Sequence, residues 1–441
     1  MHQAIVITDL TFGDAGKGTL TDALARRGAS LVVRASGGAQ AAHTVVDEAG
    51  REHVFHQFGS GTLVDGAQTL LSRFMLVNPL ALHYEELELR ALGVNDAAER
   101  MFIDAHALVT TPFQMIFNRL RELARGANRH GSCGLGIGET AADALDFGAD
   151  VLRYGDLFDA ALLRRKLLWH RDLKLQQLTP ILTQLLEQTA EKSQICALLD
   201  QLNSEEEMEA TREVFAAIAE RFAIAPPDFL AQQLSQAGST VFEGAQGVLL
   251  DENYGFHPYT TWSNTTPANA LQLIEAAGCE VKTTVLGLTR AYQTRHGAGP
   301  FPTENAALTA LLPEPHNPTN QWQGPFRAGW LDLSLLRYAI DVSGRIDGLV
   351  MTCLDRLEGL PEIKIGFSYQ LQGSSWHPTS TSAGDLLEQE KIGKTLGQVE
   401  VNYCRAASDP KAYAEEIAQR LGLPLLGTSS GPTAQDKWLA F

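Results

Sequence analysis

Cysteine is scarce in this 441-residue chain: five residues, at 133, 196, 279, 353 and 404, an odd number with no Cys-x-x-Cys pair. Such a set supports no disulfide framework and no cysteine-based zinc site, and the expected setting is reduced and cytoplasmic. Positive charge is in deficit as well. Lys and Arg total 35 against 52 Asp and Glu, a formal charge of −17. That balance would repel a phosphate backbone and excludes a broad nucleic-acid surface, though not a small, locally basic pocket. No apolar run approaches bilayer length, so no membrane partner is expected. The opening "MHQAIVITDL" enters a buried-strand pattern directly, without the features of a signal peptide. Repeats and low-complexity tails are also lacking. What remains, 44% hydrophobic and 20% charged, is an ordinary globular composition.

One familiar motif is nearly present. "TFGDAGKGTLTDALARR" (Thr11 to Arg27) suggests a phosphate loop opening a helix. A Walker A loop needs Gly, four residues, then Gly-Lys-Ser/Thr; here Gly18 follows Gly16-Lys17, and Thr11, not glycine, stands six before the lysine. As structure alone, Gly13, Gly16 and Gly18 permit a tight strand-to-helix turn. As function, they let backbone N–H groups approach a polyphosphate at a helix N-terminus, with Lys17 adding charge. Asp14 discriminates between these readings if it has partners. A carboxylate in a phosphate cradle is repulsive unless a metal screens it, so it implies Mg2+ or a proton-transfer task.

The opening pattern, "AIVIT", a helical "GTLTDALARR", then "LVVRA", has the β-α-β rhythm of a parallel sheet with helices on its faces. Further buried-strand candidates are "STVFEGAQG" near 240, "KTTVLGLTRAY" near 285, "DGLVMTCLD" near 350, "EIKIGFSYQL" near 365 and "LPLLGT" near 425. Between about 156 and 235, apolar residues recur three and four apart, as in "SEEEMEATREVFAAIAERF", which predicts a mainly helical insertion. The proline- and asparagine-rich segment 311–330 is expected to be a loop. The fold class is therefore α/β, a large, mostly parallel central sheet with helices on both faces, in a single domain over 1–441.

The second Gly-Gly turn, "VVRASGGAQAAHTVV" (Val32 to Val46), supplies a histidine after the next strand. With it the chain resembles the adenylosuccinate synthetase family, whose first loop reads Gly-Asp-Glu-Gly-Lys-Gly-Lys and second Gly-Gly-His-Asn-Ala-Gly-His-Thr-Val. Here these are "GDAGKGT" and "GGAQAAHTV". "VFEGAQGVLLD" (241–251), "YTTWSNTT" (259–266), "AYQTRHGAGPFPTE" (291–304), "GWLD" (329–332), "TCLD" (352–355) and "SSGP" (429–432) follow in the family's order, so the likeness runs from about residue 3 to 435. It implies a P-loop-NTPase-like fold, a homodimer and small-molecule substrates. It also implies a ligase that uses GTP and Mg2+ to phosphorylate the 6-oxygen of a purine nucleotide before an amine displaces it. The loop aspartate, Asp14, would remove the N1 proton and coordinate Mg2+ together with Ala42. His43 would hydrogen-bond to the transferring phosphoryl, and Lys17 and Gln246 complete the catalytic set. GTP would be held by Gly13, Ala15, Gly16, Lys17, Gly18, Thr19, Thr44, Asp355, Ser429 and Gly431, and the acceptor by Gln40, Ser132, Cys133, Gln246 and Thr261.

The departures concern recognition. The family's amine-binding loop carries four consecutive arginines before Thr-Gly-Trp-Leu-Asp; here Gly324, Pro325, Phe326, Arg327 and Ala328 precede "GWLD". One arginine holds two carboxylates poorly, and Trp322, Phe326 and Arg327 define a more apolar amine loop, so aspartate is not the expected amine. The alternative is a shifted loop served by arginines elsewhere. The acceptor pocket has Leu135 for an arginine, leaving a nucleotide, a nucleoside or another 6-oxo heterocycle open. At the donor base the family's lysine is Cys353 while Asp355 remains, a carboxylate that suits guanine's donors; ATP stays an alternative. Two other readings compete: a true adenylosuccinate synthetase, and a nucleotide-binding regulatory protein without catalysis.

Overall fold

In the computed structural model, which describes residues 2–126, 129–188, 190–314 and 324–441, the "AIVIT" run lies within a strand, His2–Asp9, buried from Ala4 onward. Its two faces divide by the period of two that a pleated strand imposes. Ile5 and Ile7 pack with Leu20 and Leu24 of the helix Lys17–Arg26. Ala4 and Val6 pack with Phe229, Leu273 and Ile274 from two helices on the other face, Phe229–Ser235 and Ala268–Ala277. A strand covered on both sides needs apolar residues throughout, which is why the first strand shows no polar alternation.

His2–Asp9 lies inside a ten-stranded sheet. The order is Lys437–Leu439, Leu425–Ser429, Gly348–Thr352, Lys282–Arg290, His2–Asp9, Gly238–Glu243, Ala29–Arg34, Gln68–Leu71, Met101–Ile103 and Ala223–Ile224. Every neighbouring pair is parallel except at the edge strand Lys437–Leu439, which returns antiparallel on Leu425–Ser429. The expected α/β class and mostly parallel sheet are borne out.

Helices Ala160–Leu178, Lys192–Asn203 and Glu205–Ala219 occupy the segment expected to be helical. The last begins at Ser204, whose side chain accepts the Glu207 N–H, with three glutamates in the first turn where the helix dipole favours them. These helices bury Leu163, Leu167, Phe215 and Ile218 against Phe113 and Phe117. The segment is not helix alone, since Ala223–Ile224 returns to the sheet edge.

Two expectations need correction. "EIKIGFSYQL" does form a strand, Lys364–Leu371, but in a separate four-stranded sheet with Leu331–Asp332, Ser374–Trp376 and Glu400–Arg405. Phe367 is exposed and Lys364, Ser368 and Gln370 are partly exposed, so this strand lacks the two-sided cover of the central sheet. The segment 311–330 is not all loop. Once past Pro325, Phe326–Gly329 has its N–H groups free to pair, and it runs antiparallel to Gln293–His296.

Candidate active site

Six strands of the central sheet end in polar side chains: Asp9, Arg34, Glu243, Arg290, Thr352 and Ser429. Beyond these carboxyl ends lies a cavity of about 1040 Å³, the usual place for a ligand in an open parallel sheet. Three of the four non-glycine residues with left-handed backbone among those described, Asp14 (φ 61°), Gln246 (φ 49°) and Cys353 (φ 56°), line it. Such conformations cost about 1–2 kcal/mol each, and they mark where the surroundings dictate the backbone.

Asp9 builds the first loop. Its Oδ1 accepts from the Thr11 N–H at 2.9 Å and hydroxyl at 2.7 Å; its Oδ2 accepts from the Ala15 N–H at 3.0 Å and Lys17 Nζ at 2.9 Å. The Ala15 amide is thereby spent inside the protein, and its side chain is buried. Gly16 (φ 81°) caps the helix Lys17–Arg26 with no side-chain hydrogen bond. Its first N–H groups and dipole therefore present an anion site to the cavity. A Cβ on Gly247 would stand 2.2 Å from the Thr11 carbonyl oxygen, so the turn after Glu243 presses directly on the loop. A Cβ on Gly18 would stand 2.7 Å from the His43 Cβ, which explains why no side chain separates helix and histidine.

His43 opens the strand His43–Val46, and its Nδ1 lies 2.6 Å from Glu243 Oε1. Ser60 donates to the same carboxylate through its hydroxyl at 2.5 Å and its N–H at 3.1 Å, and the Arg34 Nε lies 3.9 Å away. Burial alone would raise the Glu243 carboxyl; Arg34, His43 and Ser60 outweigh it and hold the group at about 2. Burial pushes the His43 imidazole below its ordinary value, with Glu243 opposing. The carboxylate thus fixes Nδ1–H toward itself and turns Nε2 outward, the second-partner arrangement that sets a histidine's tautomer.

The other expected residues fall as follows. Gly13, Asp14, Gly16, Lys17, Gly18, Thr19, Gln40, Ala42, His43, Thr44, Ser132, Cys133, Gln246, Thr261, Cys353, Asp355, Ser429 and Gly431 all line the one cavity. Both amide atoms of Gln40 and the Oε1 of Gln246 are buried without a protein partner. They flank Gly37, whose added Cβ would lie 3.6 Å from Gln246 Oε1 and 3.8 Å from Gln40 Nε2. Orphaned amides of this kind suit a polar acceptor. Phe326 and Arg327 lie on the strand Phe326–Gly329, and the Arg327 guanidinium donates to Glu304 at 2.7 Å and to the Gly299 carbonyl at 3.1 Å. Trp322 lies outside the described residues. Among those described, no group of three or more His, Cys, Asp or Glu could hold a metal by itself. Asp14 is one-third exposed and lines the cavity, as Ala42 does, and a single carboxylate fits the mode in which Mg2+ takes one carboxylate and completes its shell with water and phosphate.

Sequence reasoning missed Asp9, Glu243 and Ser60, and also His296, whose Nε2 lies 3.6 Å from Asp14 Oδ2. Asp9 and Glu243 carried a usable signal: each is an acid closing a buried strand, where an unpaired charge would be costly. Ser60 and His296 had none, because their significance comes from residues remote in sequence.

A helix N-terminus, a lysine and an acid at the carboxyl edge of a parallel sheet define an α/β protein built for phosphoryl groups. The profile of the family described as adenylosuccinate synthetase matches residues 6–438, and the chain belongs to that family of C–N bond-forming ligases. An adenylosuccinate synthetase of Acidithiobacillus ferrooxidans is 34% identical over 455 residues, covering 99% of this chain and 98% of that protein. The fully ligated adenylosuccinate synthetase of Plasmodium falciparum superimposes with a TM-score of 0.78 at 21% identity, over 99% of each chain. A cyanophage S-2L succinoaminodeoxyadenylate synthetase, bound to dGMP and to dATP as an energy donor, superimposes with a TM-score of 0.60 at 17% identity, over 100% of this chain and 96% of that one.

Proposed function

We propose that this chain is a GTP- and Mg2+-dependent ligase that phosphorylates the 6-oxygen of a purine nucleotide or related 6-oxo heterocycle and replaces it with an amine other than aspartate. The observation that carries this reading is the joint opening of Asp14 and the Glu243-held His43 onto one cavity. Asp14 takes the proton from N1, which makes O6 nucleophilic; O6 attacks the γ-phosphorus, and GDP leaves with the electrons of the broken bond. Phosphoryl transfer needs positioning and charge stabilisation above all. The helix N-terminus and Lys17 serve the triphosphate, and His43 Nε2 faces the transferring group. Mg2+, when bound through Asp14, supplies charge neutralisation for the phosphates. Asp355 favours guanine in the donor, although the phage relative's dATP shows that this fold accommodates adenine donors elsewhere.

A second reading, aspartate as the amine, is favoured by the relatives' own activity and the 34% identity. To test the first, the protein is incubated with Mg2+, GTP, inosine monophosphate and a panel of amines, with phosphate release and product masses followed. Release with an amine other than aspartate is expected, and Asp14→Ala should reduce it by at least about 10²-fold. An aspartyl adduct as the preferred product would establish the second reading; undiminished activity of Asp14→Ala would remove the assigned base.

A further inference from the structure

His296 occupies a position that the chemistry proposed above does not use. It ends the strand Gln293–His296, and the register of the antiparallel pair sets it opposite Phe326, the residue standing where the family's loop has an arginine. The imidazole meets the Phe326 ring edge to face at 5.0 Å between centroids. On its other side, Nε2 lies 3.6 Å from Asp14 Oδ2, and the residue lines the cavity. One side chain thus touches the carboxylate that begins the reaction and the strand that replaces the family's carboxylate-binding loop. A nitrogen placed to one side could lie ~2.9 Å from both Nε2 and Oδ2, ordinary hydrogen-bond length.

Two guanidiniums stand beside this point on facing strands, and one of them is paired with an acid. Arg327 is the one Lys or Arg between residues 311 and 328, and its guanidinium is held by Glu304 and Gly299. Arg295, one residue before His296, lies over the Phe12 ring at 4.2 Å and donates to the carbonyls of Ala298, Pro300 and Tyr259. Arg295 has no acidic partner among the described residues, so a single guanidinium remains to meet an incoming anion, and one guanidinium holds two carboxylates poorly. A small amine needs only hydrogen-bond acceptors at its nitrogen, and His296 and Asp14 supply them on the cavity lining.

We propose that His296 binds the incoming amine, and that this amine is small and is not a dicarboxylate. The inference rests on the ligase reading above. The amine nitrogen bonds to C6 as the C6–O bond breaks; that bond's electron pair leaves on phosphate, which also receives one N–H proton. The test uses the full chain with Mg2+, an inosine monophosphate acceptor and GTP carrying a heavy-oxygen label at the β,γ-bridge. Label scrambling without amine reports the first step, and adduct mass with hydroxylamine, ammonium or L-aspartate reports the second. Wild type should scramble and form hydroxylamine and ammonium adducts at lower KM than any aspartate adduct. His296→Ala should lose adduct formation at subsaturating hydroxylamine at least tenfold more than it loses scrambling, through KM rather than kcat. His296→Gln, which keeps a hydrogen-bonding side chain, should recover most of that loss; thermal melting checks that both variants fold. An unchanged KM in His296→Ala, a preference for aspartate, or scrambling without either small-amine adduct would each overturn the inference alone. No scrambling in wild type would bring down the ligase reading and this inference with it.

Discussion

Glu243 has no exposed side-chain surface and faces two cations or potential cations, Arg34 and His43. The Nε and Nη2 of Arg34 find no hydrogen-bond partner among the described residues, so the charge of Glu243 is what compensates that guanidinium. Glu243→Gln keeps the shape and removes the charge. It should destabilise the protein by about 3–5 kcal/mol, because it strands a buried cation. Since Glu243 also fixes the His43 tautomer, phosphate release should fall by about 10²-fold. Urea unfolding at neutral pH and a phosphate assay check the two effects separately; a loss below 1 kcal/mol would mean that Arg34 is compensated by other means. At this scale the sequence was informative about chemistry and silent about support. Asp14, Lys17 and His43 were recognisable from their motifs, whereas Ser60 and His296 gained their place only because the chain brings them beside Glu243 and Asp14.

At the scale of elements, the helix Leu333–Ser343 starts at Asp332, whose Oδ1 accepts the Ser334 and Leu335 N–H groups at 3.0 and 3.1 Å. The Tyr369 hydroxyl donates to the same carboxylate from the second sheet. Burial raises the Asp332 carboxyl to about 6, with Tyr369 and the backbone amides opposing. A folded-state value above the unfolded one means that the native protein holds this proton more tightly. Stability contributed by the group is therefore full below about pH 4 and is lost as pH rises through about 6, by roughly 3 kcal/mol. Asp332→Asn retains a capping oxygen without the titration. Its stability relative to wild type, from urea midpoints, should rise between pH 4.5 and 7; a difference independent of pH would refute this account. The motif "GWLD" located this residue, but its hydrogen-bond set could not be read, since Tyr369 arrives from a strand that the pattern alone would have placed in the central sheet.

For the whole molecule, the cavity gathers the first loop, the second loop, the strand-end turns and the carboxyl-terminal Ser429–Gly431 segment, so a ligand filling it joins regions distant in the chain. Binding to the folded state alone raises stability by about 2.7 kcal/mol at a hundred times Kd. Mg2+ with a non-hydrolysable GTP analogue should therefore raise Tm by several degrees, and more than the ATP analogue does. Asp355→Ala should erase that preference while leaving a smaller, equal shift with both; an unchanged preference would show that the base is selected elsewhere.

The sequence by itself determined the class of fold and the start of the chemistry. Uninterrupted apolar strands require a sheet covered on both faces, and the glycines around Asp14 and Lys17 require a tight turn into a helix. These are local consequences of side-chain period and backbone sterics, so they can be read from neighbouring residues. The tertiary structure alone decided which acid serves which cation, that Phe326–Gly329 is a strand, and that His296 stands between Asp14 and Phe326. Those facts depend on strand order and register, which bring together residues up to hundreds of positions apart, and no local pattern encodes that pairing.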